Sequence, residues 1–394
     1  MSEWIGAALF LAAVAGHAVL VIRSHNHCYG SGLGRRAVDT LQMVHVVLML
    51  AGPVALWLAF GFDLSPLLRA PDYSPAALYA YLCWLVLAFF VPLTVWRLIR
   101  PKPAALESNH TRTVDVAREL GYKPAGRGRR GLVARLPGNE VFRVDLAEKT
   151  LRLKRLPAAW DGLSVLHLSD IHFTGTPDRD FFRHVMDLCV AWEPDLVAFT
   201  GDTVDTDAHY RWIVPLLGRL RSRHGSFAIL GNHDLWYEPP LLRRRLGRAG
   251  LRVLGNGWVR LEVRGEPLVV VGHEGPWFGP PPDLSACPAG PFRLCLSHTP
   301  DNIKWAQRHG IDLVLAGHVH GGQVRLPLIG SVVVPSRYSR RYDCGTFDEP
   351  PTVMHVSRGL SGDHPLRYNC RPEVTKLILR PASSCGAAAH DGAA

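Results

Sequence analysis

The sequence predicts a layered α/β domain standing behind an N-terminal bundle of about three transmembrane helices. Three observations carry this reading. Three runs of 19 to 24 mostly apolar residues fall within the first hundred positions. From Asp161 onward, short strands rich in Val, Leu, Ile and Phe alternate with stretches whose apolar residues recur at helical spacing. Five of those strands end in Asp, Asn or His, at the edge where α/β sheets place their sites. The chain of 394 residues is 47% apolar, which excludes a disordered protein. Its eight cysteines form no Cys-x-x-Cys pair, which argues against a zinc ribbon or a disulfide scaffold.

The apolar runs cover 4–22, 41–62 and 76–99 within a transmembrane region at 1–100. Each can cross a hydrocarbon core of roughly 30 Å. The start, Met1-Ser2-Glu3, lacks the basic region of a cleaved signal peptide. Segment 23–40 carries Arg23, Arg35 and Arg36 against Asp39, whereas 63–75 carries Arg69 against Asp63 and Asp72. Arg97, Arg100 and Lys102 follow the third run. The positive-inside bias therefore predicts a multi-pass inner-membrane protein with everything after residue 100 in the cytoplasm. His25, His27 and Cys28 in the first loop lack a fourth ligand and read as hydrated interfacial residues.

Residues 101–160 read as a basic juxtamembrane linker with lead-in strands, Val141 to Leu156 giving two short ones. Positions 97–155 hold 15 Lys/Arg and 6 acids, a composition expected to meet anionic lipid head groups. Residues 161–394 hold 25 Lys/Arg and 24 acids. A nearly neutral domain lacks the basic field of a polyanion groove, so membrane lipids rather than nucleic acid are the expected partners.

The domain at 161–380 is expected to have strands at 163–168, 196–200, 227–230, 268–271, 292–296 and 313–316. They lack clean alternation, as strands covered on both faces do. Helical spacing recurs in 181–192, 211–220 and 240–251, and 352–356 with 374–379 complete the sheets. The small, polar stretch 381–394 is expected to be a flexible tail.

The strand ends read Ser-Asp170-Ile-His172, Gly201-Asp202, Gly231-Asn232-His233-Asp234, Ser297-His298 and Gly317-His318-Val-His320. Any one alone is a capping or surface residue; five in one sheet system are a site. Oxygen and imidazole donors without thiolate suit Mn²⁺, Fe²⁺, Zn²⁺ or Mg²⁺.

With Asp205 completing Gly-Asp-x-x-Asp, these motifs in this order resemble the calcineurin-like metallophosphoesterases over about 161–380. The extension Gly321-Gly322-Gln323 and Ser357-Arg358-Gly359-Leu360 is similar to a membrane-associated bacterial branch that includes UDP-2,3-diacylglucosamine pyrophosphatases and related phosphodiesterases. The resemblance implies a four-layer αββα sandwich. It implies one divalent ion on Asp170, His172, Asp202 and His320 and a second on Asp202, Asn232, His298 and His318, Mn²⁺ first among the candidates. Asp202 would bridge the two, and water activated between them would attack phosphorus in line. His233 would donate the proton to the leaving group, with Asp234 beside it orienting the imidazole.

Substrate contacts are offered by Arg243 and Arg244 on the helix after the Asn232 loop, by Trp277 and Phe278 in a Gly/Pro-rich loop, and by Arg358. A solvated helix face is the favoured reading of the two helix arginines, and core packing or a membrane-edge anchor explains the aromatics equally. The expected function is a membrane-anchored, two-metal phosphoesterase acting on a phosphodiester or diphosphate of a lipid-linked substrate such as UDP-2,3-diacylglucosamine. Its alternatives are a broad-specificity phosphodiesterase or nuclease of the same fold, and a non-catalytic membrane binding protein.

Overall fold

A computed structural model describes residues 3–382. The chain forms two compact units, Met1–Lys102 with Val324–Arg341, and Pro103–Gln323 with Tyr342–Ala394.

The first unit is helical. It contains α1 (Glu3–Tyr29), α2 (Arg35–Phe60), the one-turn α3 (Pro66–Arg69) and α4 (Pro75–Ile99). The three long helices have 27, 26 and 25 residues, about 38–40 Å each at 1.5 Å per residue, enough to cross a bilayer. Their apolar side chains point outward, among them Val47, Leu50, Leu58, Phe89 and Ile99, as expected of helices whose solvent is lipid. Polar groups are satisfied inside. His17 takes Tyr79 Oη at 2.5 Å and Leu48 O at 3.0 Å on its two ring nitrogens, and Trp84 Nε1 donates to Leu9 O at 2.8 Å. α1 and α2 run past the expected spans. His25, His27 and Cys28 therefore lie on α1 rather than in a loop, with the His25 ring against Tyr29 and His45. The hairpin of β11 (Arg325–Leu326) and β12 (Gly330–Ser331) also belongs to this unit.

The second unit is a two-sheet sandwich. Its strands are β1 (Leu106–Asp115), β2 (Arg143–Leu153), β3 (Leu163–Leu168), β4 (Leu196–Phe199), β5 (Ser226–Ala228), β6 (Arg252–Val253), β7 (Trp258–Val263), β8 (Glu266–His273), β9 (Phe292–Ser297), β10 (Leu313–Ala316), β13 (Gly345–Glu349), β14 (Thr352–Val356) and β15 (Glu373–Pro381). One sheet has the order β1-β2-β15-β3-β4-β5-β6 and the other β13-β14-β10-β9-β8-β7. Each has a parallel centre, β3 to β6 and β8-β9-β10-β14.

Alternation along β3 explains the layers. Leu163 and Val165 pack between the sheets with Ala198, Leu294 and Leu315. Leu166 and Leu168 pack on the other face, with Phe181 and Val185 of α7 (Arg179–Val190), Ile213 of α8 (Tyr210–Leu217) and Leu242 of α9 (Pro239–Arg248). α10 (Ile303–Arg308) packs on β14 of the second sheet. Four strands of this unit lie outside the expected set: β1, β6, β7 and β13.

The segment 101–160 differs from a linker. β1 and β2 are strands of the first sheet, with α5 (Val116–Leu120) and α6 (Gly128–Ala134) between them. β2 is one strand rather than two, because it pairs along its length with β1 on one side and β15 on the other. Much of the basic excess is spent inside this unit: Lys149 pairs with Glu373, Arg152 with Glu107 and Arg155 with Asp312. At the other end, Pro381 closes β15 and Ala382 N donates to Leu153 O, so the expected tail is regular at its start; positions 383–394 lie outside the described residues.

Candidate functional site

The loops after β3, β4, β5, β9 and β10 converge. Asp170 (φ 52°), His172 (φ 44°), Asp202 (φ 57°), His318 (φ 72°) and His320 (φ 50°) all adopt the left-handed backbone region, which side-chain-bearing residues avoid. Such strain persists only where the surroundings impose it. Here Asp170 N donates to Gly201 O and His172 N to Asp202 O, each at 3.0 Å, and His318 N donates to Asp170 Oδ1 at 3.0 Å. Gly231 is needed for close approach: a Cβ there would meet Asp202 Oδ1 at 2.2 Å.

Donor atoms gather in two groups that share Asp202. Asp170, His172, Asp202 and His320 offer atoms within 4.8 Å of one another, as do Asp202, His298 and His318. His172 Nε2 lies 3.4 Å from Asp202 Oδ2 and 3.2 Å from His320 Nε2. His298 Nε2 lies 3.3 Å from Asp202 Oδ2 and 3.0 Å from Asn232 Oδ1.

The tautomers decide what these atoms want. His172 Nδ1 faces Asp205 Oδ2 at 2.7 Å, His298 Nδ1 faces Thr200 O at 2.7 Å and His320 Nδ1 faces Ser361 O at 3.0 Å. The Asp205 and Thr200 oxygens only accept, so Nδ1 of His172 and of His298 carries a proton and Nε2 is the atom each ring turns to the centre, whereas His320 Nδ1 meets both the Ser361 carbonyl and, at 3.3 Å, the Arg367 Nη2 donor. His318 Nε2 is buried with no hydrogen-bond partner. Lone pairs and carboxylates buried together are costly unless a cation meets them. The residues present therefore fit two divalent ions.

Protonation equilibria show the same crowding. Burial resists charging His172, yet Asp205, Asp202 and Asp170 overcome it and lift its pKa to about 10. His298 rises to about 9 against burial, through Asp202. Burial and neighbouring imidazoles hold His318 and His320 far below the usual histidine value. Burial raises Asp170, whereas His298 and His233 hold Asp202 well below the usual carboxylate range despite its burial.

His233 is one-fifth exposed, its Nδ1 2.7 Å from Asp205 Oδ1 and its ring 4.4 Å from Trp236. Asp234 does not orient it. That carboxylate accepts the backbone N–H groups of Asp202, Thr203 and Gly231 at 3.0, 2.8 and 2.9 Å, tying two strand-end loops together. The orienting carboxylate is Asp205, which the motif contained but which sequence spacing alone assigned no partner.

The expected substrate contacts separate. Trp277 flanks the donors, its ring 4.9 Å from His318 and 5.5 Å from His298. Phe278 sits 5.6 Å from the Arg243 guanidinium. Arg243 is engaged by Glu274, at 2.9 Å from Nη1 to Oε1, so its charge is already met. Arg244 is exposed on α9. Arg358 is held by Glu373 at 2.5 Å and Asp145 at 3.0 Å, which makes it a brace of the sheet rather than a phosphate clamp. Buried Arg367 donates to His320 O and Arg358 O, supporting the His320 loop. A cavity of about 470 Å³, which the sequence did not disclose, is lined by Arg127, Arg129, Arg130, Thr174, His209 and Asp178. Thr174 follows His172 by two residues, so this basic cavity borders the loop that carries a donor.

Residues 163–322 match the calcineurin-like phosphoesterase family. The chain is 29% identical over 250 residues to the uncharacterized metallophosphoesterase YkuE of Bacillus subtilis (strain 168), covering 61% of this chain and 87% of that protein. It is 32% identical over 223 residues to the phosphodiesterase YaeI of Escherichia coli (strain K12), covering 55% and 81%. It is also 28% identical over 261 residues to a transmembrane protein with metallophosphoesterase domain of Danio rerio, covering 58% of this chain and 56% of that one. With its strand-end donors gathered around Asp202, the chain belongs to the calcineurin-like phosphoesterases, metal-dependent hydrolases of phosphoric esters.

Proposed function

We propose that the chain is a membrane-anchored, dinuclear phosphoesterase that hydrolyses a phosphodiester or diphosphate bond of a lipid-linked substrate, with its catalytic domain in the cytoplasm. The observation that carries the two-ion reading is the sharing of Asp202 between two buried donor groups, beside a His318 Nε2 that has no protein partner. The ligands are Asp170, His172, Asp202 and His320 on one side and Asp202, Asn232, His298 and His318 on the other. Mn²⁺ is the first candidate among oxygen- and imidazole-preferring ions. When bound, such a pair supplies Lewis acidity, lowering the pKa of water and neutralising charge on phosphoryl oxygens.

The chain's own residues do the rest. Asp205 and Thr200 fix the imidazole tautomers of His172 and His298. His233, held at Nδ1 by Asp205, has Nε2 to hand a proton to the leaving oxygen. Arg127, Arg129 and His209 border the cavity beside the His172 loop and offer charge and donors to a second phosphate.

Three apolar helices support the lipid-linked substrate, because tethering raises the local concentration of a membrane-resident molecule and does nothing for a freely diffusing one. A relative carrying both a transmembrane region and this domain by name supports the same reading. Arginines flanking α1, α2 and α4 support the cytoplasmic side. The specific substrate proposed is UDP-2,3-diacylglucosamine. Detergent-purified protein with Mn²⁺ is incubated with it and, separately, with bis-p-nitrophenyl phosphate. Release of UMP is the expected result. Turnover of the generic diester without UMP discards that lipid, and turnover of neither discards the hydrolase.

A further inference from the structure

Four residues after His320 the chain enters a segment that packs with the helical unit, Val324–Arg341. These residues contain Arg325, Arg337, Arg340 and Arg341 and no acid. The base of the segment is fixed. Asn26, fully buried near the C-terminal end of α1, donates to Val332 O at 3.1 Å and Ser339 Oγ at 3.0 Å and accepts from Val334 N at 2.9 Å. Arg340 donates to Ile329 O and lies 4.9 Å over the Phe90 ring of α4. Ser331, Val334 and Ser336 are buried.

The tip is built the opposite way. Leu326, Leu328, Ile329 and Val333 are exposed, Leu328 by 79%. Leu328 also has φ 62°, a conformation that glycine or asparagine takes at lower cost. An aqueous turn gains nothing from a leucine there, and clustered exposed apolar side chains mark a contact surface.

The bundle indicates what covers it. Asn26 lies near the C-terminus of α1 and Phe90 in the C-terminal half of α4, and α2 starts at the same end. That end also bears Arg23, Arg35, Arg36, Arg97 and Arg100. An apolar tip framed by cations, standing beside membrane-length helices, is the composition of an interfacial anchor. We infer that Leu326–Ile329 inserts into the acyl boundary of the bilayer at this end, with the segment's arginines among anionic head groups. The inference rests on α1, α2 and α4 crossing the membrane and not on the identity of the substrate. It gives Val324–Arg341 a hold on the bilayer of its own, besides the three spans.

The test places the photo-crosslinker p-benzoylphenylalanine at position 328 of the full chain, in nanodiscs of phosphatidylcholine and phosphatidylglycerol. Position 50 on α2 serves as the lipid-facing control and position 122 in the sandwich as the water-facing one. Acyl-chain adducts at 328 and 50 but not at 122 are expected. Adducts at 50 without any at 328 would overturn the inference, as would cross-linking of 328 to a second copy of the chain. Neither result depends on turnover, so failure here is separable from failure of the phosphoesterase reading.

Discussion

One carboxylate serves two histidines: Asp205 places Oδ2 2.7 Å from His172 Nδ1 and Oδ1 2.7 Å from His233 Nδ1. A donor of the first ion group and the partly exposed histidine are thus oriented by a single side chain. The charge arrangement agrees, because the two imidazoles hold Asp205 below the usual carboxylate range although burial opposes it.

Asp205→Asn is therefore expected to act twice, weakening metal affinity through His172 and turnover through His233. A loss of about 10–100-fold in metal affinity is typical when a partner of this kind is removed. His233→Ala should spare metal content and slow turnover by roughly 10²–10⁴-fold. Metal analysis and single-turnover rates of both variants check this. Equal metal loss in the two would place His233 among the ligands instead.

Arg127→Ala and Arg129→Ala should raise KM for a diphosphate substrate with little change in kcat. Each removes a charge-assisted contact, roughly 1.5–3 kcal/mol, or about tenfold and more in affinity. Bis-p-nitrophenyl phosphate, with one phosphate, should be nearly unaffected. An equal effect on both substrates would mean that the cavity holds no second phosphate.

Lys149 and Glu373 form a buried pair at 2.7 Å, joined by His355 Nε2 at 3.1 Å from Nζ. Glu373 also holds Arg358 at 2.5 Å, so Lys149→Met leaves it one cation and should cost less than the about 3–5 kcal/mol of a stranded buried charge, whereas Glu373→Leu takes a partner from Lys149 and Arg358 together and should cost more. Thermal melting of the purified variants distinguishes the two. A Glu373→Leu variant as stable as Lys149→Met would contradict the pairing.

His355 is buried and lies beside Lys149, which together lower its pKa to about 4. In the unfolded chain its pKa is near 6.5, so between those values the unfolded state binds a proton that the folded state refuses. The contribution is intact above pH 6.5 and lost as pH falls toward 4, by up to about 1.4 kcal/mol per pH unit. His355→Asn should flatten the decline of Tm between pH 6.5 and 4.5 relative to the parent. An unchanged slope would show His355 protonated in the folded state.

Much of this was legible in the residues. Strands buried on both faces leave few polar positions, so Asp170, Asp202, Asn232, His298 and His318 stood out at their ends. What hid was decided by contact rather than pattern. β1 reads Leu-Glu-Ser-Asn-His-Thr-Arg-Thr-Val-Asp and is exposed along most of its length, so it carries almost no apolar signal. Its place comes from pairing with β2. Asp205 and Asp234 are equivalent on paper; only the fold turns one to imidazoles and the other to backbone N–H groups. Arg243 and Arg358 looked free because Glu274, Glu373 and Asp145 are far away in sequence. Val324–Arg341 lies between strands of the sandwich in sequence, and only packing assigns it to the helices.

Metal stoichiometry tests most directly whether Asp202 serves two ions at once. Protein loaded with Mn²⁺ and freed of excess ion is expected to hold two ions per chain. Asp202→Asn should lose metal from both positions, with activity falling in parallel. A single ion in the parent protein, or two retained by Asp202→Asn with full turnover, would contradict the shared site.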